Sequence, residues 1–392
     1  MDISQVKQKV IAQIDRNRSG LKELALKIHA NPERGLKEIK ASGWLTDYLA
    51  EKGFTIERGI CGMSTAFRAS YGKGKPAIGL LAEYDALPGI GHACGHNLIC
   101  TASVGAAVAS KQVVDEYGGS VLVIGTPAEE GYGGKIIMVR EGAFSDLDAA
   151  MLVHPDTEDI ATVLALACQQ MTIEFFGKSA HASANPAGGI NALDAMILSF
   201  NNINALRQHI PSTARIHGII TEGGLAANIV PAHSKGEFYV RAADDASLDE
   251  LLAKVLNCFN GAAIATGARL EYKPDDLRCA SMRNNTKLAK LYAANMETIG
   301  RKVKIPESTI PLNTGSTDMG NVSHVTAAIH PMVSIAPKGI SAHSPEFAAA
   351  AASEDGVNGM CDAAKAMAMT VVDLLSSADN VRQVRDEFKT GK

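Results

Sequence analysis

Val6, Val10 and Ile14, then Leu21, Leu24 and Ile28, recur at helical spacing, and Asn31-Pro32 interrupts the pattern. A second stripe, Ile39, Trp44, Leu45, Tyr48 and Leu49, predicts another helix that stops at Gly53. Beyond it the pattern changes to short continuous apolar runs at 77–82, 121–125 and 149–153. They are too short for helices, and residues 98–117 between the first two are long enough for a crossover helix. Apolar strands alternating with helices predict a largely parallel α/β sheet covered on both faces. Polar residues follow each run: Glu83 and Asp85, then Glu129 and Glu130, then His154. In an open α/β sheet the rim beyond the strands' carboxyl ends is where ligands bind.

From residue 168 the texture differs. Strands are predicted at 171–177, 215–221, 236–241 and 269–272, with helices at 189–207 and 248–265. Ile190, Leu193, Ile197 and Phe200 are the expected inward residues of the first of these helices. The order β-α-β-β-α-β is that of a ferredoxin-like unit. Helix and sheet texture resumes near Met282 and ends in a helix at about 355–375, with FAAAAA at 347–352 reading as a helix start. The division expected is a catalytic domain from 1–167 and 280–392, interrupted by an inserted lid or dimerisation domain at 168–279.

Charge removes several classes of function. Lys and Arg total 38 against 42 Asp and Glu, a formal net charge of −4, so there is no basic excess for nucleic acid. No apolar run reaches the roughly 18 residues that span a bilayer, and the N-terminal stretch lacks a signal-peptide core. The seven cysteines are scattered without C-x-x-C spacing, which argues against a disulfide framework and for the reducing cytoplasm.

GHACGHNL at 91–98 places Cys94 and His96, both metal-ligand types, two residues apart beyond a strand end. The adjacent acids Glu129 and Glu130 in TPAEEG repel each other unless a cation or a proton intervenes. His154, and His343 in AHSPEF, complete a set of Cys, His and Glu on predicted rim loops. Such a set suits two divalent ions with one carboxylate left as a base. A dinucleotide loop is a poor fit, because Gly89, Gly91 and Gly95 have the wrong spacing. A P-loop fits no better, since Ile follows Lys135, and residues 62–66 lack the second glycine of a nucleophile elbow.

EYDALPGIGHACGHN, TPAEEGYGGK, FFGKSAHAS, GLAANIVPA, GSTDMGN and AHSPEF occur in this order. With them the chain resembles the aminoacylase-like di-metal peptidases and amidohydrolases. The nearest branch in wording holds p-aminobenzoyl-glutamate hydrolase subunits and Xaa-Arg (β-alanyl-lysine) dipeptidase. The resemblance implies a metallopeptidase-like α/β catalytic domain carrying a βαββαβ insertion. It implies two divalent ions per subunit, zinc or manganese with cobalt a third candidate, held by Cys94, His96, Glu130, His154 and His343. Glu129 would be the general base and Asp85 would orient a ligand histidine from behind. Many relatives have a histidine where this chain has Glu83, which leaves open whether Glu83 touches metal. In relatives the residue matching His181 serves the partner subunit's active site as an oxyanion donor, which implies a homodimer. Asn228 matches a residue that helps bind the substrate carboxylate, though turn geometry before Pro231 is a rival explanation. Arg241 suits a carboxylate fork or a salt bridge within the sheet. The implied reaction is hydrolysis of the amide bond of an N-acyl amino acid or dipeptide with a free carboxylate. The alternative is a non-catalytic metal-binding or regulatory subunit.

Overall fold

The computed structural model describes residues 2–306 and 314–391. It separates into two compact units, one of Met1–Leu164, Met282–Thr309 and Asp318–Lys392, the other of Ala165–Ser281 and Ile310–Thr317. The described residues 314–317 thus group with the inserted stretch, although the sequence division placed them in the catalytic part.

In the first unit α1 (Ile3–His29) buries Val6, Val10, Ile14, Leu21, Leu24 and Ile28, the predicted stripe. Helix α2 (Ile39–Glu51) buries Ala41, Leu45 and Leu49 and gives way to Gly53 at φ +84°. Then come β1 (Thr55–Arg58), β2 (Phe67–Lys73) and the fully buried β3 (Ala77–Ala82). Helix α3 (His96–Tyr117) crosses to β4 (Gly119–Gly125), followed by α4 (Glu129–Tyr132), α5 (Gly134–Arg140), β5 (Ala149–Met151) and β6 (His154–Asp156).

The second unit contributes β7 (Ala167–Phe176), α6 (Ala192–Leu206), β8 (Arg215–Glu222), β9 (His233–Ala242), α7 (Asp245–Thr266) and β10 (Arg269–Pro274). The chain then returns to the first unit with α8 (Thr286–Thr298), α9 (Met319–Ser323), β11 (Ala328–Ile329) and β12 (Met332–Ser334). It closes with α10 (Pro345–Ala350), α11 (Glu354–Leu375) and α12 (Ala378–Thr390). The sequence pattern ended the fold at α11; α12 escaped notice because its apolar stripe is only Val381, Val384 and the partly buried Phe388 in an otherwise polar stretch.

The main sheet runs β1-β2-β4-β3-β5-β11, and β3, β4, β5 and β11 pair in parallel. The β1-β2 ribbon joins antiparallel at the edge and was not foreseen, because Arg68 and Ser70 break its apolar run. Helices α1, α3 and α11 pack on one another, and their buried faces belong to one core with the strands. The parallel order brings the ends of β3, β4 and β5 to one edge. Their following loops carry the candidate residues.

The second unit is an antiparallel sheet in the order β10-β7-β9-β8 with two helices, the ferredoxin-like arrangement. Its core joins Met171, Ile173, Phe175, Phe238 and Val240 to the inner faces of α6 and α7. Within α6 the buried set is Ala192, Ala195, Met196, Ser199 and Ile203, whereas Ile197 is 46% exposed and not inward. Asn191 caps the helix by accepting from the N–H groups of Leu193 and Asp194. The small residues face the sheet and rotate Ile197 outward. Among the described residues, no helix is long and apolar enough to cross a membrane.

Candidate metal centre

Cys94 and His96 lie where the loop after β3 turns into α3. A bridge between Leu87 and Gly91, bonded in both directions at 2.9 and 3.2 Å, shapes the loop. Gly95 has φ +78°, and a Cβ there would stand 2.8 Å from Pro155 Cγ. Only glycine therefore lets this loop lie against the strand that carries His154.

Asp85 holds two of these loops together. His96 Nδ1 is 2.9 Å from Asp85 Oδ1, and the Glu130 N–H donates to Asp85 Oδ2 at 2.9 Å. With Nδ1 on the carboxylate, His96 Nε2 is left buried without a hydrogen-bond partner among the described residues. A buried imidazole nitrogen left without a hydrogen-bond partner is a position suited to a cation. His154 is similar, with Nδ1 2.7 Å from Pro155 O and Nε2 3.3 Å from Cys94 Sγ. His343 takes the left-handed conformation at φ +63° and donates its N–H to Ala93 O at 2.9 Å. Its Nε2 comes 3.2 Å from Glu130 Oε1.

The donor atoms of Cys94, His96 and His154 lie within 4.8 Å of one another, as do those of Cys94, Glu130 and His343. Cys94 belongs to both groups, so a single sulfur stands between two three-residue cages. Thiolate, imidazole and carboxylate donors fit zinc-like divalent ions. Burial pushes the Cys94 thiol up, but His154, His343 and His96 outweigh burial and bring it down to about 6. The anionic ligand form is thus favoured near neutrality.

Glu129 follows Ala128, whose backbone is left-handed at φ +63° and whose N–H donates to buried Glu38 at 2.8 Å. Burial, Glu83 and Asp318 push the Glu129 carboxyl well above the usual range, and Lys135 opposes them. Glu129, Glu83 and Asp318 form a further cluster of acids, but it already contains a cation. Buried Lys135 sets its ammonium on Glu83 and 2.7 Å from Asp318 Oδ1, while its N–H donates to Asp318 Oδ2 at 2.9 Å. Sequence inspection missed Lys135, Asp318 and Glu38 as contributors, and left Glu83 open. The available signal was a charge beside apolar runs, as Lys135 stands before Ile136, Ile137 and Met138.

The inserted unit carries the other three candidates. His181 is exposed, and its Nδ1 accepts from the N–H groups of Ser183 and Ala184 at 3.3 and 3.1 Å. Asn228 is also exposed, and its carbonyl accepts from the Ala182 N–H at 3.0 Å, so the two loops adjoin. Arg241 lies on β9, with Nη1 donating to Ser316 Oγ at 3.0 Å and a buried Nε that has no partner among the described residues. Among the described residues the guanidinium makes no salt bridge within the sheet and bonds to the Ser316 hydroxyl.

Residues 169–266 match the family model described as a peptidase dimerisation domain of the M20 type. Over 402 aligned positions the chain is 35% identical to Xaa-Arg dipeptidase of Mus musculus, covering 99% of this chain and 93% of that protein. The chain belongs to the M20 peptidase family. As a member it is a hydrolase, and metal-dependent cleavage of amide bonds is its reaction class. It is also 36% identical to a p-aminobenzoyl-glutamate hydrolase subunit of Escherichia coli, over 72% of this chain and 63% of that one. Among M20 structures, Bacillus subtilis YxeP, a dinuclear metal-binding peptidase, superposes with TM-score 0.73 at 19% identity, covering 92% of this chain and 99% of that one.

Proposed function

We propose that this M20 protein hydrolyses a dipeptide or N-acyl amino acid with a free carboxylate, either Xaa-Arg/Lys-like or p-aminobenzoyl-glutamate-like. The reading is carried by Cys94 standing in two donor groups at once, with the proton-accepting candidate Glu129 beside them. Cys94, His96, Glu130, His154 and His343 would hold two divalent ions, zinc or manganese with cobalt a third candidate. When bound, such ions supply a lowered water pKa and polarise the scissile carbonyl. Asp85 fixes the His96 ring so that Nε2 faces the donor group. Glu129 takes the proton from the attacking water and passes it to the departing nitrogen. Asn228 and Arg241 would bind the substrate carboxylate, and the partially unsatisfied Arg241 guanidinium supports that assignment.

We further infer a cytoplasmic homodimer in which 1–167 and 280–392 carry the chemistry and 168–279 supplies the lid and dimer contacts. The match of 169–266 to a dimerisation domain supports the second part. The retained Glu129 weighs against the alternative of a non-catalytic regulatory subunit. The test is a hydrolysis screen of metal-loaded protein against β-alanyl-lysine, Xaa-Arg dipeptides, p-aminobenzoyl-glutamate and N-acetyl amino acids. Chelation should abolish whatever activity is found, and Zn²⁺, Mn²⁺ or Co²⁺ should restore it. Activity that survives exhaustive chelation, with metal content measured, would remove the ions from the mechanism.

His181 gives a separate expectation. If it reaches the partner's active site as an oxyanion donor, His181→Ala should cost about 2.7–4 kcal/mol of transition-state stabilisation. Mixing His181→Ala with Glu129→Ala chains should then return up to roughly a quarter of wild-type activity. Random exchange makes about half the dimers mixed, each with one site holding both groups. No recovery after demonstrated subunit exchange would assign His181 to its own chain.

A further inference from the structure

Cys168, the second residue of β7, is flanked in the sheet by Arg241 of β9 on one side and by Cys279 on the other. The pairing of Cys168 and Cys279 is antiparallel and reciprocal. The Cys168 N–H donates to Cys279 O at 2.9 Å, and the Cys279 N–H donates to Cys168 O at 3.1 Å. Two residues that exchange both bonds in this way have Cα atoms about 5.5 Å apart. Directly opposed antiparallel residues also project their side chains to the same face. A disulfide requires a Cα separation of about 4.4–6.8 Å, which this pairing meets, and Cβ atoms about 3.5–4.5 Å apart, closer than the roughly 4.5–5.5 Å of directly opposed residues, so closing the bond draws the two strands together. Both cysteines are in the thiol form, Cys168 buried and Cys279 partly accessible. The pair also occupies the ends of the inserted unit, which enters at Ala165 and leaves at Ser281.

We propose that Cys168 and Cys279 form a reversible redox site, closed to a cross-strand disulfide by small-molecule disulfides such as oxidised glutathione. The accessible Cys279 thiolate attacks one glutathione sulfur, forming a mixed disulfide and releasing the first glutathione thiolate. The Cys168 thiolate then attacks the Cys279 sulfur and releases the second. Two protein thiols are oxidised to one disulfide, one glutathione disulfide is reduced to two thiols, and the two protein protons go to the leaving thiolates. Burial raises the Cys168 thiol, and the Arg241 guanidinium beside it opposes that rise. The resulting bond ties the entering strand to the departing one. An intracellular disulfide of this kind is a redox-responsive element rather than a scaffold.

The experiment treats metal-loaded full-length protein with defined ratios of oxidised to reduced glutathione, then blocks remaining thiols, digests and maps the peptides by mass spectrometry. The expected product is a peptide pair linked through Cys168 and Cys279, lost again on adding dithiothreitol. Cys168→Ser should trap glutathione on Cys279, whereas Cys279→Ser should leave Cys168 unmodified because it is buried. The same treatment in denaturant should lose the preference for this pair. The proposal is overturned if native protein gives no such linked peptide while Cys61 and Cys258 take up glutathione, or if pairing is equally scrambled in native and denatured protein. Because the readout is a peptide mass, its failure leaves the hydrolytic function untouched, and the reverse also holds.

Discussion

Glu129→Gln should retain metal and lose roughly 10²–10⁴ in kcat, the usual contribution of a general base. Glutamine keeps the shape and a hydrogen-bonding carbonyl but cannot act as a base near neutral pH. Glu129 is suited to the role because it sits half-buried beside Glu83 and Asp318, which raises its carboxyl above the usual range. Glu130 differs although it is the next residue. Its N–H is held by Asp85 and its carboxylate lies beside His343 and the Cys94 group. Glu130→Gln should therefore weaken metal binding first, with activity falling as a consequence. Elemental analysis together with kcat separates the two. The reverse pattern would exchange their roles, and full activity in both variants would remove the carboxylate mechanism.

Lys135→Met should lower stability by roughly 3–5 kcal/mol, the cost of stripping one partner from a buried ion cluster. Methionine matches the length of the lysine stem and leaves little cavity, so the loss reports charge more than packing. Lys135 is fully buried and is the cation shared by Glu83 and Asp318, with Glu129 close by. Without it, three acids face one another away from water. Urea unfolding of metal-free protein is the measurement. Adding Glu83→Gln to Lys135→Met should recover part of the loss, because one uncompensated charge is removed. A Lys135→Met variant within about 0.5 kcal/mol of the parent, the range of ordinary surface changes, would show that the cluster contributes nothing of that kind.

Elements whose burial is periodic were legible along the chain. The six-residue β3 coincides with the run at 77–82, and α1 buries the residues whose spacing announced it. β2 was hidden although it lies between β1 and β4, because Arg68 and Ser70 are only half-buried, so its pattern never becomes apolar. Ile197 misled because hydrophobicity alone does not tell which side of a helix faces a sheet when alanines can approach more closely. At the centre, Cys94, His96 and His154 announce themselves by ligand chemistry. Lys135 does not, since its value depends on Glu83 and Asp318, which converge on it only in three dimensions. Glu38 was similarly silent. Nothing local links it to Ala128, ninety residues on, whose N–H it accepts.

The first unit is interrupted at Leu164 and resumes at Met282. Its core joins Val10 of α1 and Val104 of α3 to Met360, Ala364 and Met367 of α11. During synthesis that core cannot close until α11 has left the ribosome. The inserted sheet, by contrast, has all four of its strands once Pro274 has emerged. Domains tend to fold as units while the chain is still being made. Translation therefore releases the inserted unit ready to fold while its host is still waiting for its last helices. The donors of both three-residue groups belong to that host, so Cys94, His96 and His154 meet only when it closes, after the inserted unit has been made.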